Sequence, residues 1–345
     1  MKQLIKPPKL KPGDKVATLS LSWGGAGDSG ILWRYHQGKE RLEKLFGLQV
    51  VEMPHTLAGS AYNEAHPEAR AADMMAAFAD PSIKGVFSCI GGDDTLRLLP
   101  FINYQTIRDN PKVFIGYSDT TVNHMMCYKA GLASVYGPAL LTDFAENLQM
   151  PAYTVDHVKK ALFGGGPIGE IHPSDTWTAE RQECSVENKD TPRTFRPNQG
   201  LERLQGSGIT QGRLIGGCLD VLDWLRGTEL FPALADFEGA ILFLETSEDK
   251  PAPVNVLYML RALGAMGVLA RLNGLVFGKP YANAYYEEYK PIIAKALREY
   301  GRGGLPVLYN LSFGHCEPKF CVPYGAAAEV DCGRKAFTIL ESGVV

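Results

Sequence analysis

No run of apolar residues in this chain approaches the ~20 that a membrane-crossing helix needs. Purely aliphatic or aromatic stretches stop at lengths such as Ala240–Leu244, so a membrane-spanning helix is excluded. An excess of one charge is lacking as well: 35 Lys and Arg stand against 38 Asp and Glu, a net charge of −3. That balance leaves no basic footprint for nucleic acid and no polybasic anchor for a membrane surface. There is no Cys-x-x-Cys pair. The seven cysteines, at 89, 127, 184, 218, 316, 321 and 332, are odd in number and scattered, which fits neither a disulfide framework nor a structural zinc site. They read as free thiols packed as small apolar groups. The seven histidines lack His-Glu-x-x-His or any similar metal spacing. A metal enzyme is disfavoured, although ligands gathered from distant loops stay open. Residues Met1 to Lys15 are charged, carry three prolines and have no apolar signal core, so a cytoplasmic protein is expected.

What the chain does contain is ordinary globular composition: 45% hydrophobic and 21% charged residues over 345 positions. At about 150 residues per domain that length suggests two domains. The first half alternates strands and helices. Apolar strands are expected at Val16–Leu21, Gln49–Met53, Gly85–Ile90 and Val113–Tyr117. Helices are expected from Leu32 to Phe46 with Gly47 as C-terminal cap, over Ala69–Phe78, at Leu96–Ile102, and over Thr120–Ala130 closed by Gly131. Short apolar strands between helical patterns predict an α/β fold with a parallel sheet covered on both faces. A ligand site then belongs beyond the C-terminal strand ends. Gly164-Gly165-Gly166-Pro167 marks a hinge, dividing a first domain, 1–165, from a second, 166–345. Residues 172–210 are polar and weakly periodic, the signature of a functional or disordered loop. Beyond them, strands and helices resume, ending in a hairpin around Cys332-Gly333-Arg334-Lys335.

The sharpest local signal is Gly116-Tyr117-Ser118-Asp119-Thr120-Thr121, where an apolar strand runs directly into a helix. This is the strand–turn–helix context of a nucleophile elbow. The helix N-terminus adds unpaired N–H groups that favour an oxyanion. Thr120 stands where the last glycine of Gly-x-Ser-x-Gly would be, and Ser118 or Asp119 could equally serve as a helix cap. A serine nucleophile needs a base, and the base an orienting carboxylate. Glu245 follows the buried run Ala240–Leu244, and His315 follows Leu311-Ser312-Phe313-Gly314. Taken singly, each also reads as a solvated or hydrogen-bonded surface residue. Their order, Ser118, Glu245, His315, is that of one hydrolase class. Gly91-Gly92-Asp93-Asp94-Thr95, again after an apolar strand, offers a second oxyanion donor or a plain turn with an aspartate cap. The Gly24–Gly30 turn lacks phosphate-loop spacing, so no nucleotide cofactor is expected.

Taken together, the glycine pair before Asp93-Asp94-Thr95, the elbow at 116–121, Phe243-Leu244-Glu245 and Phe313-Gly314-His315 resemble the LD-carboxypeptidase family of serine peptidases. That family includes the microcin C self-immunity proteins. The resemblance implies a Rossmann-like N-terminal domain and a smaller β-rich C-terminal domain. It also implies a homodimer, no metal, and no cofactor. Ser118 would be the nucleophile, His315 the general base and acid, and Glu245 the residue orienting His315. Backbone N–H groups of Gly92 and Asp119 would form the oxyanion hole, with Asp93 at the substrate. Within the family, the chain looks closer to the microcin-immunity branch, through Ser22-Trp23-Gly24-Gly25 and the long 172–210 segment with Trp177. In that branch an inserted loop supplies an aromatic face to a nucleobase. Trp177 is therefore expected either to stack on a base or to anchor the loop. Arg193 and Arg196 are expected to meet a phosphate or to be solvated. The implied substrate is a small peptide or aminoacyl-nucleotide conjugate. The alternatives are a murein tetrapeptide LD-carboxypeptidase releasing D-alanine and a non-catalytic binding protein with the same cleft.

Overall fold

A computed structural model describes residues 2–345. The first half supplies β1 (Lys15–Leu19), β2 (Gln49–Glu52), β3 (Ile83–Ser88), β4 (Val113–Gly116) and β5 (Val135–Tyr136). These five pair in parallel, in the spatial order β5-β4-β3-β1-β2. Four of five β1 residues and every β4 residue are buried, which is why these strands read as continuous apolar runs rather than alternating ones. The helix Leu32–Phe46 ends where Gly47 adopts a left-handed conformation and returns its N–H to Glu43 O. The helix Thr120–Ala130 is buried on nearly every side. The expected helix at 96–102 is instead a 3₁₀ segment, Thr95–Phe101, interrupted by Pro100, which has no N–H to continue an α-helix.

The second half adds β6 (Gly169–Glu170), β7 (Thr176–Trp177), β8 (Arg196–Pro197), β9 (Glu202–Gln205), β10 (Ile209–Cys218), β11 (Ile241–Glu245), β12 (Gly274–Gly278) and β13 (Val307–Leu311). It closes with β14 (Val322–Pro323), β15 (Ala327–Asp331) and β16 (Ala336–Ile339). Eight of these form one sheet in the order β6-β16-β15-β10-β11-β12-β13-β9. Its centre, β10 to β13, is parallel and fully buried at β11 and β12, and the helices Pro253–Ala265 and Tyr286–Glu299 pack on each other beside it. The outer strands are antiparallel, β15–β16 being the hairpin expected at 332–335.

The two halves are stitched together. β14 returns to the first sheet and pairs antiparallel with β5, across the division expected at 165. The polar segment 172–210 is built into the fold. β7 and β8 pair as a short ribbon, Thr178 bridges to Glu317, and β9 joins the edge of the large sheet. Beneath the junction, Phe243 of β11 meets the rings of Tyr136, Phe313 and Tyr324 at centroid distances of 5.7, 6.0 and 5.1 Å. Among the described residues no helix is long and apolar enough to cross a membrane.

Candidate active site

The chain leaves β4 through Tyr117-Ser118-Asp119, and Ser118 sits at φ 66°. A non-glycine residue in that region costs about 1–3 kcal/mol, and here the turn is over-determined. Thr120 N–H returns to Tyr117 O (3.2 Å) and Thr121 N–H to Ser118 O (2.8 Å). Neither Ser118 nor Asp119 caps the helix that follows, since no side-chain cap bond is made there. Asp119 instead faces the neighbouring turn. Its Oδ2 accepts from Thr95 N–H (2.9 Å) and from the Ser22 hydroxyl (2.6 Å), and Ser22 Oγ accepts Asp94 N–H (3.2 Å). Three strand ends, those of β1, β3 and β4, are thereby tied together around the half-buried Ser118 hydroxyl.

Glu245 closes β11 and is completely buried. After β13 the chain turns at Gly314, φ 84°, against that carboxylate. A Cβ on Gly314 would lie 2.4 Å from Glu245 Cγ, so the turn requires glycine. The turn delivers His315, whose backbone N–H and Nδ1 lie 3.2 and 2.7 Å from Glu245 Oε2. The carboxylate can only accept, so Nδ1 carries the proton. His315 Nε2 lies 3.0 Å from Ser118 Oγ. Hydroxyl, imidazole and carboxylate thus stand in series, the donor set of a serine nucleophile with its base and orienter. Burial by itself would lower the His315 imidazole, but Glu245 and Glu248 together outweigh it and hold it up to about 10.

Two participants were not apparent from the residue pattern. Tyr136, on the two-residue strand β5, accepts Ser118 N–H (3.0 Å) and donates its hydroxyl to Glu245 Oε1 (2.5 Å). Burial, then Glu245, raises its phenol well above the ordinary value, so the hydroxyl stays a donor. The other is Glu248, whose Oε2 lies 2.7 Å from His315 Nε2 on the side open to the cleft. Its only sequence signal is position, three residues past a strand-terminal Glu in the polar turn Thr246-Ser247-Glu248-Asp249.

Gly92, at φ 146°, lines the same cleft as Ser118, and Asp119 follows the serine directly; among the described residues the N–H groups of Gly92 and Asp119 donate to no protein acceptor. A Cβ on Gly91 would fall 2.7 Å from Ser118 Cβ, so the turn can approach the serine this closely only without a side chain. The two aspartates that follow separate. Asp94 pairs with Arg70 and Arg97, whereas Asp93 is exposed, next to Gly92 of the cleft wall. The cleft itself, about 500 Å³, is walled by Trp23, Tyr117, Arg181, Glu248, Tyr281 and Glu317, among others.

Of the two roles expected of Trp177, its placement fits the loop anchor. It is 6% exposed, lies outside the cleft wall, and has Lys279 Nζ over its ring at 4.4 Å. It anchors the base of the 172–210 segment, and the stretch just after it, Ala179–Gln182, reaches the cleft instead. Arg193 is tied to Glu146 and to Glu317 (3.3 Å), and Arg196 lies on the exposed strand β8. Cys218, Glu245 and His315 bring one potential metal-ligand atom each within 4.8 Å of one another. Burial keeps the Cys218 thiol protonated far above its ordinary range, and the carboxylate and imidazole already satisfy each other, a poor set for a cation.

A strand-end serine at positive φ, an imidazole and a buried carboxylate meet on an α/β scaffold, an arrangement compatible with the chemistry of serine-type hydrolases. Residues 16–137 match the LD-carboxypeptidase N-terminal domain and residues 211–330 the LD-carboxypeptidase C-terminal domain. The chain belongs to that family, whose members are serine-type carboxypeptidases and amide hydrolases. It is 30% identical to the microcin C7 self-immunity protein MccF of Escherichia coli over 314 residues, 89% of this chain and 88% of that protein. An MccF-like protein from Streptococcus pneumoniae, solved in complex with AMP, superposes with a TM-score of 0.87 at 38% identity, covering 94% of this chain and 98% of its own. An MccF-like protein from Bacillus anthracis gives 0.84 at 29% identity, covering 98% and 99%.

Proposed function

We propose that the protein hydrolyses the C-terminal amide of a small peptide or aminoacyl-nucleotide conjugate, through an acyl-enzyme on Ser118. The observation that carries this reading is the series Ser118 Oγ–His315 Nε2 (3.0 Å) and His315 Nδ1–Glu245 (2.7 Å), standing at the floor of an open cleft. In the first half-reaction Oγ bonds to the amide carbon while its proton passes to Nε2. The Gly92 and Asp119 N–H groups receive the oxyanion. The C–N bond then breaks as His315 returns the proton to the leaving nitrogen. In the second half a water gives its proton to Nε2, attacks the ester carbon, and releases the acid as Oγ recovers the proton. Glu245 keeps Nδ1 protonated and the ring aimed throughout.

The nucleotide half of the substrate is supported by the AMP complex of the Streptococcus pneumoniae relative. Within this chain, the exposed face of Trp23 and the ring of Tyr281 on the cleft wall are the surfaces suited to a base. A homodimer belongs to the same reading and is checked by light scattering of the purified protein. Mass spectrometry of products from an aspartyl-adenylate analogue and from a muropeptide tetrapeptide, assayed side by side, tests substrate choice. Release of the nucleotide amide supports the proposal, D-alanine release alone supports the murein alternative, and no product from either overturns it. A fluorophosphonate probe that fails to label Ser118 would exclude the nucleophile and favour a binding protein.

A further inference from the structure

In the free protein His315 Nε2 faces two oxygens that make incompatible demands on it. Ser118 Oγ, at 3.0 Å, can pass a proton to Nε2 only if the nitrogen holds a lone pair. Glu248 Oε2, at 2.7 Å, is an acceptor and requires Nε2 to carry hydrogen. Nδ1 already donates to Glu245, so the second demand makes the ring an imidazolium, which cannot act as a base. The charges agree with the distances. The two carboxylates hold His315 up to about 10 against its burial, and the bond to His315 brings Glu248 down to about 2 against its own.

The other charged groups around the ring are already engaged. Glu317, on the same loop as His315, is paired with Arg193 (3.3 Å) and Lys319 (3.5 Å), and Lys319 also meets Asp143 (2.9 Å). Arg181, 69% exposed, meets the other Glu248 oxygen, Oε1, at 3.3 Å. Among the described residues, His315 is the cation at Oε2. Once His315 is neutral, a carboxylate oxygen and a lone pair would confront each other at that separation, and a new donor must come between them.

We propose that Glu248 is the receptor for an alkylammonium group on the acyl half of the substrate, which takes over Oε2 and hands the imidazole to Ser118. The inference rests on the serine-hydrolase reading above and specifies its substrate class. Glu248 lines the cleft with its side chain 38% exposed, so a ligand can reach it. It lies one imidazole nitrogen away from the nucleophile. The α-nitrogen of an aminoacyl group is two bonds from the carbonyl carbon under attack, within reach of such a neighbour. The side-chain ammonium of a basic residue presents the same chemistry. A substrate with neither leaves His315 protonated and is turned over slowly.

Binding is measured by calorimetry in the Ser118→Ala protein, which prevents turnover, with alanyl, N-acetyl-alanyl and N-acetyl-lysyl sulfamoyl adenosine. N-acetylation of the alanyl compound should weaken binding about ten- to a hundredfold, the equilibrium value of one charge-assisted hydrogen bond. Recovery by the lysyl side chain identifies that amine as the source, and no recovery identifies the α-amine. In Ser118→Ala/Glu248→Gln the three compounds should bind alike. An acetylation penalty that is the same with Glu or Gln at 248, or absent from both, overturns the proposal. If no compound binds, the nucleotide part of the proposed function fails. The same ratio is then read from turnover of alanyl and N-acetyl-alanyl p-nitroanilide, where a ratio insensitive to Glu248→Gln overturns the receptor. Glu248→Gln should also move the acid limb of kcat/KM to lower pH, because one of two carboxylates stabilising the imidazolium is gone. An unmoved limb refutes the ion pair.

Discussion

Tyr136→Phe removes one oxygen atom and should be felt in both stability and turnover. The hydroxyl is buried and serves two partners, accepting Ser118 N–H at 3.0 Å and donating to Glu245 Oε1 at 2.5 Å. The bond to the carboxylate is charge-assisted, a type worth about 1.5–3 kcal/mol, and a buried N–H left unpaired costs about 1–3 kcal/mol. Phenylalanine keeps the ring contacts with Phe243 and His124 and spares the cost of burying a hydroxyl. The net loss should therefore be about 2–4 kcal/mol, a large part of the ~5–15 kcal/mol that typically holds a domain folded. Urea unfolding followed by circular dichroism measures it. Turnover should fall about ten- to a hundredfold, because the elbow at φ 66° loses a tether and the carboxylate orienting His315 loses its second anchor. Wild-type unfolding midpoint together with wild-type kcat would refute this account of Tyr136.

Ser118→Ala should leave the unfolding midpoint near wild type and reduce kcat by several orders of magnitude, as should His315→Ala, with Glu245→Gln milder; retained turnover in Ser118→Ala sinks the mechanism. Gly314→Ala should lose both stability and activity, since a Cβ at 2.4 Å from Glu245 Cγ must push that carboxylate away from His315; a variant crystallising with Glu245 unmoved and full activity contradicts this. Stability should fall as pH drops from about 6.5 toward 3. Burial lowers the His124 imidazole to about 3, so in that window the unfolded chain takes up a proton that the folded one refuses. His315 has the opposite sign: its raised value means that its contribution is full below about 6.5 and is lost as pH rises toward 10. Urea midpoints from pH 7 to 4 should fall less steeply in His124→Asn than in wild type, and equal slopes would assign the acid loss elsewhere.

Much of the site was legible along the chain because its parts are local. An apolar strand that ends in Ser118, another that ends in Glu245 and a third followed by Gly314-His315 each announce themselves through a buried run and a turn. A parallel sheet places such ends on one side of the fold. The C-terminal glycines at 47 and 131 and the hairpin at 332–335 are equally local, since each depends on a few neighbouring backbone angles. Pairings between distant segments were decided by tertiary packing. Tyr136 lies on a strand too short for any periodicity, and it matters only because folding sets its hydroxyl between Ser118 N–H of the first sheet and Glu245 of the second. Trp177 is an aromatic of the kind a base could stack on, yet Lys279, directly after β12, lies over its ring and the side chain is buried. Glu248 is one polar residue of a turn along the chain, and only folding sets it 2.7 Å from an imidazole that has a carboxylate on its other side. Charge and hydrogen-bond demand at an atom depend on everything that surrounds it, and the surroundings of His315 come from residues 118, 245 and 248, which only the folded chain brings together.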